Sequence, residues 1–416
     1  MGNSQWESFP INELCIFAID CVNKTAPIVD YETPYKMIRT TNVKDGFIDT
    51  ESVRYVTEET FKKWTRRSKP QYGDVILTRE APVGSVGRFT TDDKNIFLGQ
   101  RLFHYRPDPE KLDWNYLSYV LQSEALQGWL NGIAFGATVP HITVADAETI
   151  KIPTPPIDIQ KKIGKILSNY DDLIENNLKQ IKLLEEKARL TYEEWFLRFR
   201  INGIKLDIDE KTGLPSGWIK QELSSIVKFE GGFAFKSETY EENQKFKIVT
   251  IKNVQDGIFI PNTTDTLSSI PDKVKKYQVL KNGDIIMSLT GNVGRVCLVY
   301  GENYLLNQRV VKITPIKKND YSYVYSMFRH SSMLTMLENI SNGAAQQNLS
   351  PVSTGKLKVV VPTDEIRKQY EKIVNPIINN IINYNLQNQL LKESRDILLP
   401  RLMTGLIDVE NINIEV

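Results

Sequence analysis

The sequence predicts an α+β fold with two tandem globular α/β domains and two long helices, arranged as a pseudo-twofold internal repeat. Three observations support this prediction. Short motifs recur in the same order at a separation of about 209 residues. Runs with β-strand character alternate with turns in the first part of each copy. An amphipathic stretch of about 40 residues then ends each copy.

The internal repeat depends on seven ordered matches, whose offset stays between 207 and 211 residues. A Gly-Asp pair precedes an aliphatic run at residues 73–77 and 283–287, and Val-Gly-Arg occurs at 86–88 and 293–295. Chance does not explain this order. A period this long indicates a duplicated domain rather than a solenoid.

Each globular domain is predicted to be rich in short strands. Asp-Gly at 45–46 and 256–257 lies between apolar runs and predicts tight turns. Apolar residues between 117 and 126 have helical spacing and predict a helix in the first domain.

The long helices are predicted over about residues 158–200 and 364–403. At 1.5 Å per residue each spans roughly 60 Å, longer than an ordinary domain, so each needs a partner and the two suggest each other. Packing as ordinary core helices is the alternative. Asn177 interrupts the first apolar seam, either as a register-setting polar residue or as a frayed, water-lined position. Pro376 is a possible kink in the second helix.

These elements divide the chain into six segments. They are a first globular domain (1–156), a long helix (157–200), a linker (201–217), a second globular domain (218–362), a second long helix (363–403) and a C-terminal tail (404–416).

Composition excludes several classes of protein. The 52 basic and 51 acidic residues leave a net charge of +1, which excludes a highly charged disordered chain and counts mildly against a nucleic-acid binder that works alone. Three cysteines without a CxxC pair indicate a reducing cytoplasm. We expect no signal peptide and no transmembrane helix, because no apolar run approaches 18 residues.

No catalytic or metal-binding pattern is visible. His104, His141 and His330 lack the spacing of zinc ligands, and no Gly-rich nucleotide-binding loop follows a strand. Residues 154–157 only superficially resemble an amino-methyltransferase loop, since they lack its polar first and aromatic last residue. The sequence therefore predicts no catalysis, metal or cofactor in this chain.

Several motifs are specific in combination. They are Leu-Pro-Ser-Gly-Trp at 214–218, the Gly-Asp strand followed by Val-Gly-Arg, the Pro-rich segment 152–156 before a helix, and Leu-Leu-Pro-Arg-Leu-Met-Thr-Gly at 398–405. In this order and in two copies, they resemble the specificity subunit of type I restriction–modification systems over almost the whole chain.

The resemblance implies that each globular domain is a target recognition domain that reads one half of a bipartite DNA sequence. It implies that the long helices pack as an antiparallel coiled coil, set the half-site spacing and dock two methyltransferase subunits. Those partners would supply S-adenosylmethionine, and restriction/translocase subunits would bring ATP and Mg²⁺. The chain itself would be a non-catalytic, DNA-binding cytoplasmic protein of phage defence.

The chain departs from the family at both helix entrances. The usual Glu-Gln pair is replaced by residues 158–160 and 366–368, which bears on the local docking surface. Two other functions are weighed. A coiled-coil protein-interaction scaffold would lack salt-sensitive duplex binding, and a single-chain methyltransferase would transfer methyl groups without a partner.

The candidate DNA contacts are basic side chains suited to phosphates and polar side chains suited to base edges. A solvated helix face and plain hairpin turns are the alternatives for individual members. The candidates are Lys62, Lys63, Arg66, Arg67, Lys69, Arg88, Gln100, Arg101, Lys273, Lys275, Lys276, Arg295, Asn307, Gln308, Arg309, Gln346, Gln347 and Asn348.

The candidate methyltransferase-docking residues are Trp195, Phe196 and Phe199, which flank the first helix seam. Packing against the recognition domains is the alternative for these three aromatic side chains.

Overall fold

The computed structural model describes residues 6–136, 139–341 and 348–413. The chain divides into two compact units. Unit 1 is Met1–Leu173 together with Leu391–Val416, and unit 2 is Ile174–Leu390. Because both boundaries fall inside the long helices, each unit contains part of both. Within the described residues, no helix combines the length and apolar character needed to cross a membrane.

Unit 1 begins with alternating short strands and helices, and the first long helix starts in it. The strands are β1 (Ser8–Pro10), β2 (Cys15–Asp20), β3 (Lys36–Ile38), β4 (Val43–Lys44), β5 (Phe47–Ile48), β6 (Arg54–Tyr55), β7 (Val75–Thr78), β8 (Val86–Arg88), β9 (Ile96–Leu98), β10 (Leu102–Pro107) and β11 (Lys151–Pro153). The helices are α1 (Ile11–Leu14), α2 (Glu58–Trp64), α3 (Trp114–Gln122), α4 (Glu124–Ile133), α5 (Val144–Glu148) and α6 (Ile157–Tyr192).

Unit 2 repeats this arrangement. Its strands are β12 (Arg200–Ile201), β13 (Ile204–Lys205), β14 (Ile208–Asp209), β15 (Leu214–Pro215), β16 (Ile219–Glu222), β17 (Val227–Gly231), β18 (Phe246–Val249), β19 (Thr266–Leu267), β20 (Val279–Leu280), β21 (Ile285–Ser288), β22 (Val296–Leu298), β23 (Tyr304–Leu306), β24 (Val310–Pro315) and β25 (Lys358–Val361). Its helices are α7 (Tyr321–Arg329), α8 (Ser331–Ser341), α9 (Pro351–Gly355) and α10 (Asp364–Met403), whose last part belongs to unit 1.

The main sheet has the same strand order in the two units, which confirms the predicted duplication. The main antiparallel sheet has the order β2-β10-β7-β8 in unit 1 and β17-β24-β21-β22 in unit 2. A second sheet contains one parallel pair in each unit, β3 with β9 and β18 with β23. β7 and β21 are buried along their whole length, as their uninterrupted aliphatic runs predict.

The predicted turn at Asp45-Gly46 joins β4 to β5 as a two-residue hairpin. Both residues have positive φ, 52° and 85°. Such a turn needs φ > 0 at both central positions, and Asp-Gly meets this requirement at low cost.

Within unit 2 the two long helices are antiparallel, as expected. The Asn177 side chain donates to Asn388 Oδ1 at 2.9 Å, and the Trp195 ring lies 5.6 Å from that of Tyr370. Numbering rises along one helix as it falls along the other. Asn177 is buried and hydrogen-bonded, so it forms a polar layer in the seam rather than a frayed position.

The ends of the helices differ in part from the prediction. α6 ends at Tyr192 and continues as a single π-helical turn over Glu193–Leu197, rather than as α-helix to residue 200. This turn directs Trp195 and Phe196 into the core of unit 2. α10 is α-helical from Asp364 to Met403 without interruption at Pro376.

The C-terminal segment completes the core of unit 1. Leu402, Met403 and Val409 are buried there, against a cluster that includes Leu167 and Tyr116. Lys162 Nζ in α6 donates to the carbonyl of Glu410 at 2.6 Å. The motif at 398–405 is therefore a structural part of the first unit, although it lies at the end of the chain.

Replacement of Leu402 by Ala should destabilise unit 1 by about 2–5 kcal/mol, because this side chain is 1% exposed and its loss leaves a cavity. Leu406→Ala is the matched control, since Leu406 is 80% exposed, and should change stability by no more than about 0.5 kcal/mol. Hydrogen exchange of peptides from β2, β7 and β10 during guanidinium unfolding measures both. Equal protection in the two variants would contradict this role of the C-terminal segment.

Candidate nucleic-acid interface

The basic segment of unit 1, residues 61–69, is anchored by aromatic side chains on one side and exposed on the other. Phe61 and Trp64 of α2 are buried in a small core with Phe97, and Trp64 Nε1 donates to the Lys24 carbonyl at 3.1 Å. The sequence-predicted basic residues here are all exposed; they are Lys62, Lys63, Arg66, Arg67 and Lys69.

The end of this segment is held by a buried charged cluster, which sequence reasoning missed. Arg106 Nη2 donates to the Lys69 carbonyl at 2.9 Å, and His104 Nδ1 lies 2.9 Å from Ser68 Oγ. Asp74 joins the two, lying 2.6 Å from His104 Nε2 and 2.7 Å from Arg106 Nη2. β10 thereby fixes the backbone that bears the exposed Lys and Arg side chains.

The environment of this cluster shifts the pKa values of both Asp74 and His104. Burial alone would raise the pKa of Asp74, but hydrogen bonds from Arg106 and His104 lower it overall. Burial lowers the pKa of His104, and the attraction of Asp74 offsets this only in part. A neutral His104 beside an ionised Asp74 is the favoured state near pH 7.

A polar turn at residues 100–101 lies close to the basic segment, because the loop at residues 24–25 contacts both of them. Thr25 Oγ1 donates to Gln100 Oε1 at 3.2 Å, and the Arg79 N–H donates to the Arg101 carbonyl at 2.9 Å. Glu80 forms an ion pair with Arg101 at 3.2 Å. We call residues 24–25, 79–80, 100–101 and 141 tip 1.

The fourth stretch of tip 1 is at His141. His141 pairs with Glu80 in an antiparallel bridge and packs on Phe135, with ring centroids 4.1 Å apart. Phe135 remains 51% exposed. The fold therefore brings together four separate stretches of sequence at tip 1.

Unit 2 builds an equivalent surface from different residues. The basic segment of unit 2 is residues 272–277. Directly after it, the Gln278 side chain donates to the Gly231 carbonyl at 3.0 Å, and the Gln308 N–H donates to the Phe233 carbonyl at 3.0 Å. A Cβ on Gly232 would lie 2.0 Å from the Asn307 carbonyl oxygen, so this close approach requires glycine.

In unit 2, the polar turn at residues 307–309 and the segment at Asn348 both pair with residues 289–290. The Leu289 N–H donates to the Arg309 carbonyl at 3.0 Å, and Thr290 pairs with Asn348 in an antiparallel bridge. We call residues 231–233, 289–290, 307–309 and 348 tip 2. Six of the predicted contacts in unit 2 are exposed, and Asn307 is half-buried; the exposed ones are Lys273, Lys275, Lys276, Gln308, Arg309 and Asn348. Gln346 and Gln347 lie outside the described residues.

The prediction that Arg88 contacts DNA is wrong. Arg88 is 3% exposed, and its guanidinium bonds Asp171 at 2.9 Å and Asn115 at 2.8 Å. Asp171 is fully buried and also accepts from Tyr119 at 2.5 Å and Arg395 at 2.6 Å. Arg88 therefore neutralises an interior carboxylate.

The Val-Gly-Arg motif is thus explained by packing. A Cβ on Gly87 would lie 2.6 Å from the Ile48 side chain and 2.8 Å from the Phe47 carbonyl oxygen, so glycine lets the β4–β5 hairpin rest on β8. Arg295, the equivalent residue in unit 2, is half-buried and donates to the Gln255 side chain.

The predicted docking role of Trp195, Phe196 and Phe199 is also not supported. Trp195 and Phe196 are each 5% exposed in the unit 2 core. The Phe196 ring lies 4.8 Å from that of Tyr323, and Phe199 lies 5.5 Å from Trp218. The alternative, packing against the recognition domain, is the correct one.

The unusual helix entrances have a structural role. Gln160 is buried at the start of α6 and binds the Asp113 N–H and the carbonyls of Lys111 and Pro155 at 2.9–3.0 Å. Arg367 is buried at the start of α10, where it bonds Asp320 at 2.7 Å and the Pro362 carbonyl at 2.6 Å. These residues anchor each helix to its unit and do not form an exposed docking surface.

Comparison with known proteins shows the family of the chain. A family model described as "Type I restriction modification DNA specificity domain" matches residues 3–186 and again residues 215–392. The two matches correspond to the two copies of the repeat.

Relatives match most of the chain. The chain is 27% identical over 370 residues to the type I restriction enzyme MjaIX specificity subunit of Methanocaldococcus jannaschii, covering 86% of this chain and 83% of that protein. It is 23% identical over 396 residues to the HindI specificity subunit of Haemophilus influenzae, covering 80% and 86%. A crystal structure of a type I restriction–modification S subunit from M. genitalium has the same fold, with a TM-score of 0.59, 21% identity and 97% coverage of both chains.

The Asp74–His104–Arg106 cluster makes stability depend on pH. Because the pKa of folded His104 is lowered from 6.5, the unfolded chain binds its proton first, and stability falls as the pH drops below about 6.5. Asp74, whose folded pKa is also lowered, loses its contribution only at more acidic pH. In His104→Gln, thermal midpoints measured from pH 8 to 5 should therefore fall less steeply than in the wild type.

The control is His141→Gln, which removes a histidine outside this cluster. A His104→Gln variant whose midpoint kept the wild-type dependence on pH would contradict the assignment of a neutral, buried His104.

Proposed function

Because the chain belongs to the family defined by the type I restriction modification DNA specificity domain, we propose that it is the DNA-recognition subunit of a type I restriction–modification complex. Each unit would read one half of a bipartite target. One observation supports this most strongly. The same fold presents a basic segment and a tip of four converging stretches twice, with different residues at matching places.

The arrangement separates affinity from specificity. Exposed Lys and Arg of the basic segments suit phosphate oxygens, which position a protein on duplex DNA without reading its sequence. Gln100 and Arg101 in tip 1, and Gln308 and Arg309 in tip 2, suit base edges in the major groove. A net charge of +1 is compatible with this function, because the positive charge is local.

We assign catalysis to partner subunits. Two methyltransferase subunits would bind S-adenosylmethionine and modify adenine, and restriction/translocase subunits would use ATP and Mg²⁺. This chain would supply the target sequence and the docking surfaces. The family match to both copies of the repeat supports the assignment of this chain as the specificity subunit.

The long helices would set the gap between the half-sites. Gln160 anchors the start of α6 in unit 1, and Trp195 and Phe196 fix the turn after α6 in unit 2. One continuous α-helix thus belongs to both recognition units, so its length is available as a ruler.

A map of methylated adenine tests the proposal. In cells that express the cognate methyltransferase, adding this chain should create a new motif of two specified parts separated by a fixed unspecified gap. Cells without the chain are the control. A stable complex with the methyltransferase that gave no chain-dependent methylation would overturn the DNA-reading role and favour a scaffold.

We also propose a docking surface for the methyltransferase on α6 within unit 2. Leu183 is 64% exposed and Leu190 is 42% exposed, and seven residues place them on nearly the same side of the helix. The buried seam at Ile181 and Ala188 faces the core instead. An exposed apolar stripe of this kind is typical of a helix with a further partner.

Leu183→Glu combined with Leu190→Glu should abolish co-purification of the methyltransferase, because two charges would be buried in an apolar contact. Duplex binding by the isolated chain should be kept. Lys182→Glu is the control for added negative charge, since residue 182 lies about 100° around the helix from 183. Unchanged complex formation by the double variant would place the docking surface elsewhere.

A further inference from the structure

We propose that Arg101 reads a guanine in the half-site of unit 1, and that Glu80 orients it for this task. This inference rests on the proposed function and adds the residue and the base that determine specificity. It depends on the position of Arg101, on the atom that Glu80 holds, and on the contrast with unit 2.

Arg101 has a constrained backbone and an available side chain. Its φ is +69°, a conformation that few residues other than glycine adopt. Its carbonyl accepts from the Arg79 N–H at 2.9 Å, which ties the turn to the strand end of β7. The side chain is 41% exposed at tip 1, where Gln100 and His141 also lie. A strained backbone at such a place is typical of functional sites.

Glu80 approaches the guanidinium at its Nε atom. The ion pair joins Glu80 Oε2 to Arg101 Nε at 3.2 Å. Within residues 6–136, 139–341 and 348–413, the structure gives the Arg101 guanidinium no other partner. The two terminal NH₂ groups therefore remain for a ligand. A fork of two donors matches O6 and N7 of guanine in the major groove, which is the commonest specific contact of arginine with DNA.

Glu80 is itself fixed. It pairs with His141 in an antiparallel bridge and is only 26% exposed at its side chain. A carboxylate held in this way reduces the number of orientations that the arginine loses on binding. The geometry thus provides orientation as well as charge.

The described residues of unit 2 do not contain this device. Arg309 follows Gln308 as Arg101 follows Gln100, but Thr290 takes the place of Glu80 beside it. Arg309 is exposed, and the described part of the chain shows no ion pair to it. Arg309 therefore serves as a matched control, with the same residue type and the same position in the repeat but no orienting carboxylate.

The test is the adenine-methylation map of the full complex with Arg101→Ala, Arg101→Lys, Glu80→Gln and Arg309→Ala. Arg101→Ala should relax one G·C position in one half-site and leave the other half-site unchanged. In competition binding, discrimination at that position should fall by roughly 5- to 150-fold. Arg101→Lys should relax the same position, because an ammonium keeps the charge but loses the fork.

Glu80→Gln should relax that position partially and leave the rest of the motif intact. Arg309→Ala should not change the half-site read by unit 1. Thermal midpoints close to the wild type, expected for a partly exposed pair, show that all four variants are folded. If Arg101→Ala does not fold, Arg101→Lys and Glu80→Gln carry the same comparison.

Three results would overturn the inference. The motif could survive Arg101→Ala intact, Arg101→Lys could restore full discrimination, or Arg101→Ala could weaken all sequences equally while reducing the salt dependence by about one charge, as a phosphate contact would. A wild-type chain that produced no two-part motif would instead overturn the proposed function, and this inference with it.

Discussion

The buried carboxylate of Asp171 ties together the parts of unit 1 that are most distant in sequence. Asp171 of α6 is fully buried and accepts hydrogen bonds from Arg88 of β8, Tyr119 of α3 and Arg395 of α10. A charge in the interior is tolerated only where such donors surround it, and loss of one partner of a buried ion pair costs about 3–5 kcal/mol. The recognition domain, the first long helix and the end of the chain must therefore meet at one point. The C-terminal segment can complete the hydrophobic core because this meeting fixes its position.

Unit 2 reaches the same topology by different chemistry. The π-helical turn after α6 directs Trp195 and Phe196 into an aromatic cluster with Tyr370 and Tyr323, whereas the end of α10 contributes Leu402 and Met403 to the core of unit 1. The entrances of the helices diverge likewise, with Gln160 in one unit and Arg367 in the other. The duplicated fold thus keeps its strand order and anchor positions, whereas the groups that meet at those positions have diverged.

Much of the fold could be predicted because it depends on local patterns. The aliphatic runs of β7 and β21, the Asp-Gly turn and the long amphipathic helices each have a period or a backbone requirement that the sequence shows directly. The direction in which a side chain points near a strand end is not shown by any such local pattern. Arg88 resembles a phosphate contact until Asp171, which is 83 residues away, is seen beside it. Trp195 and Phe196 lie one π-turn beyond the seam, and that turn rotated them inward. The exposed bases of α2 could be found from sequence because aromatic anchors alternate with them, but the ion pair between Glu80 and Arg101 needed the fold.

The return of the C-terminal segment to unit 1 has a consequence for biosynthesis. Residues 391–413 are the last described part of the chain to be made, yet the first unit lacks part of its core without them. The ribosome adds about 5–20 residues per second, so roughly 10–45 s separate the synthesis of Leu173 from that of Leu391. The usual order, in which the N-terminal domain folds first, is therefore reversed for its final step. A premature stop codon or frameshift just before the codon for Leu391 would damage unit 1, most of which is synthesised earlier, and would spare unit 2, whose residues 174–390 would already be complete.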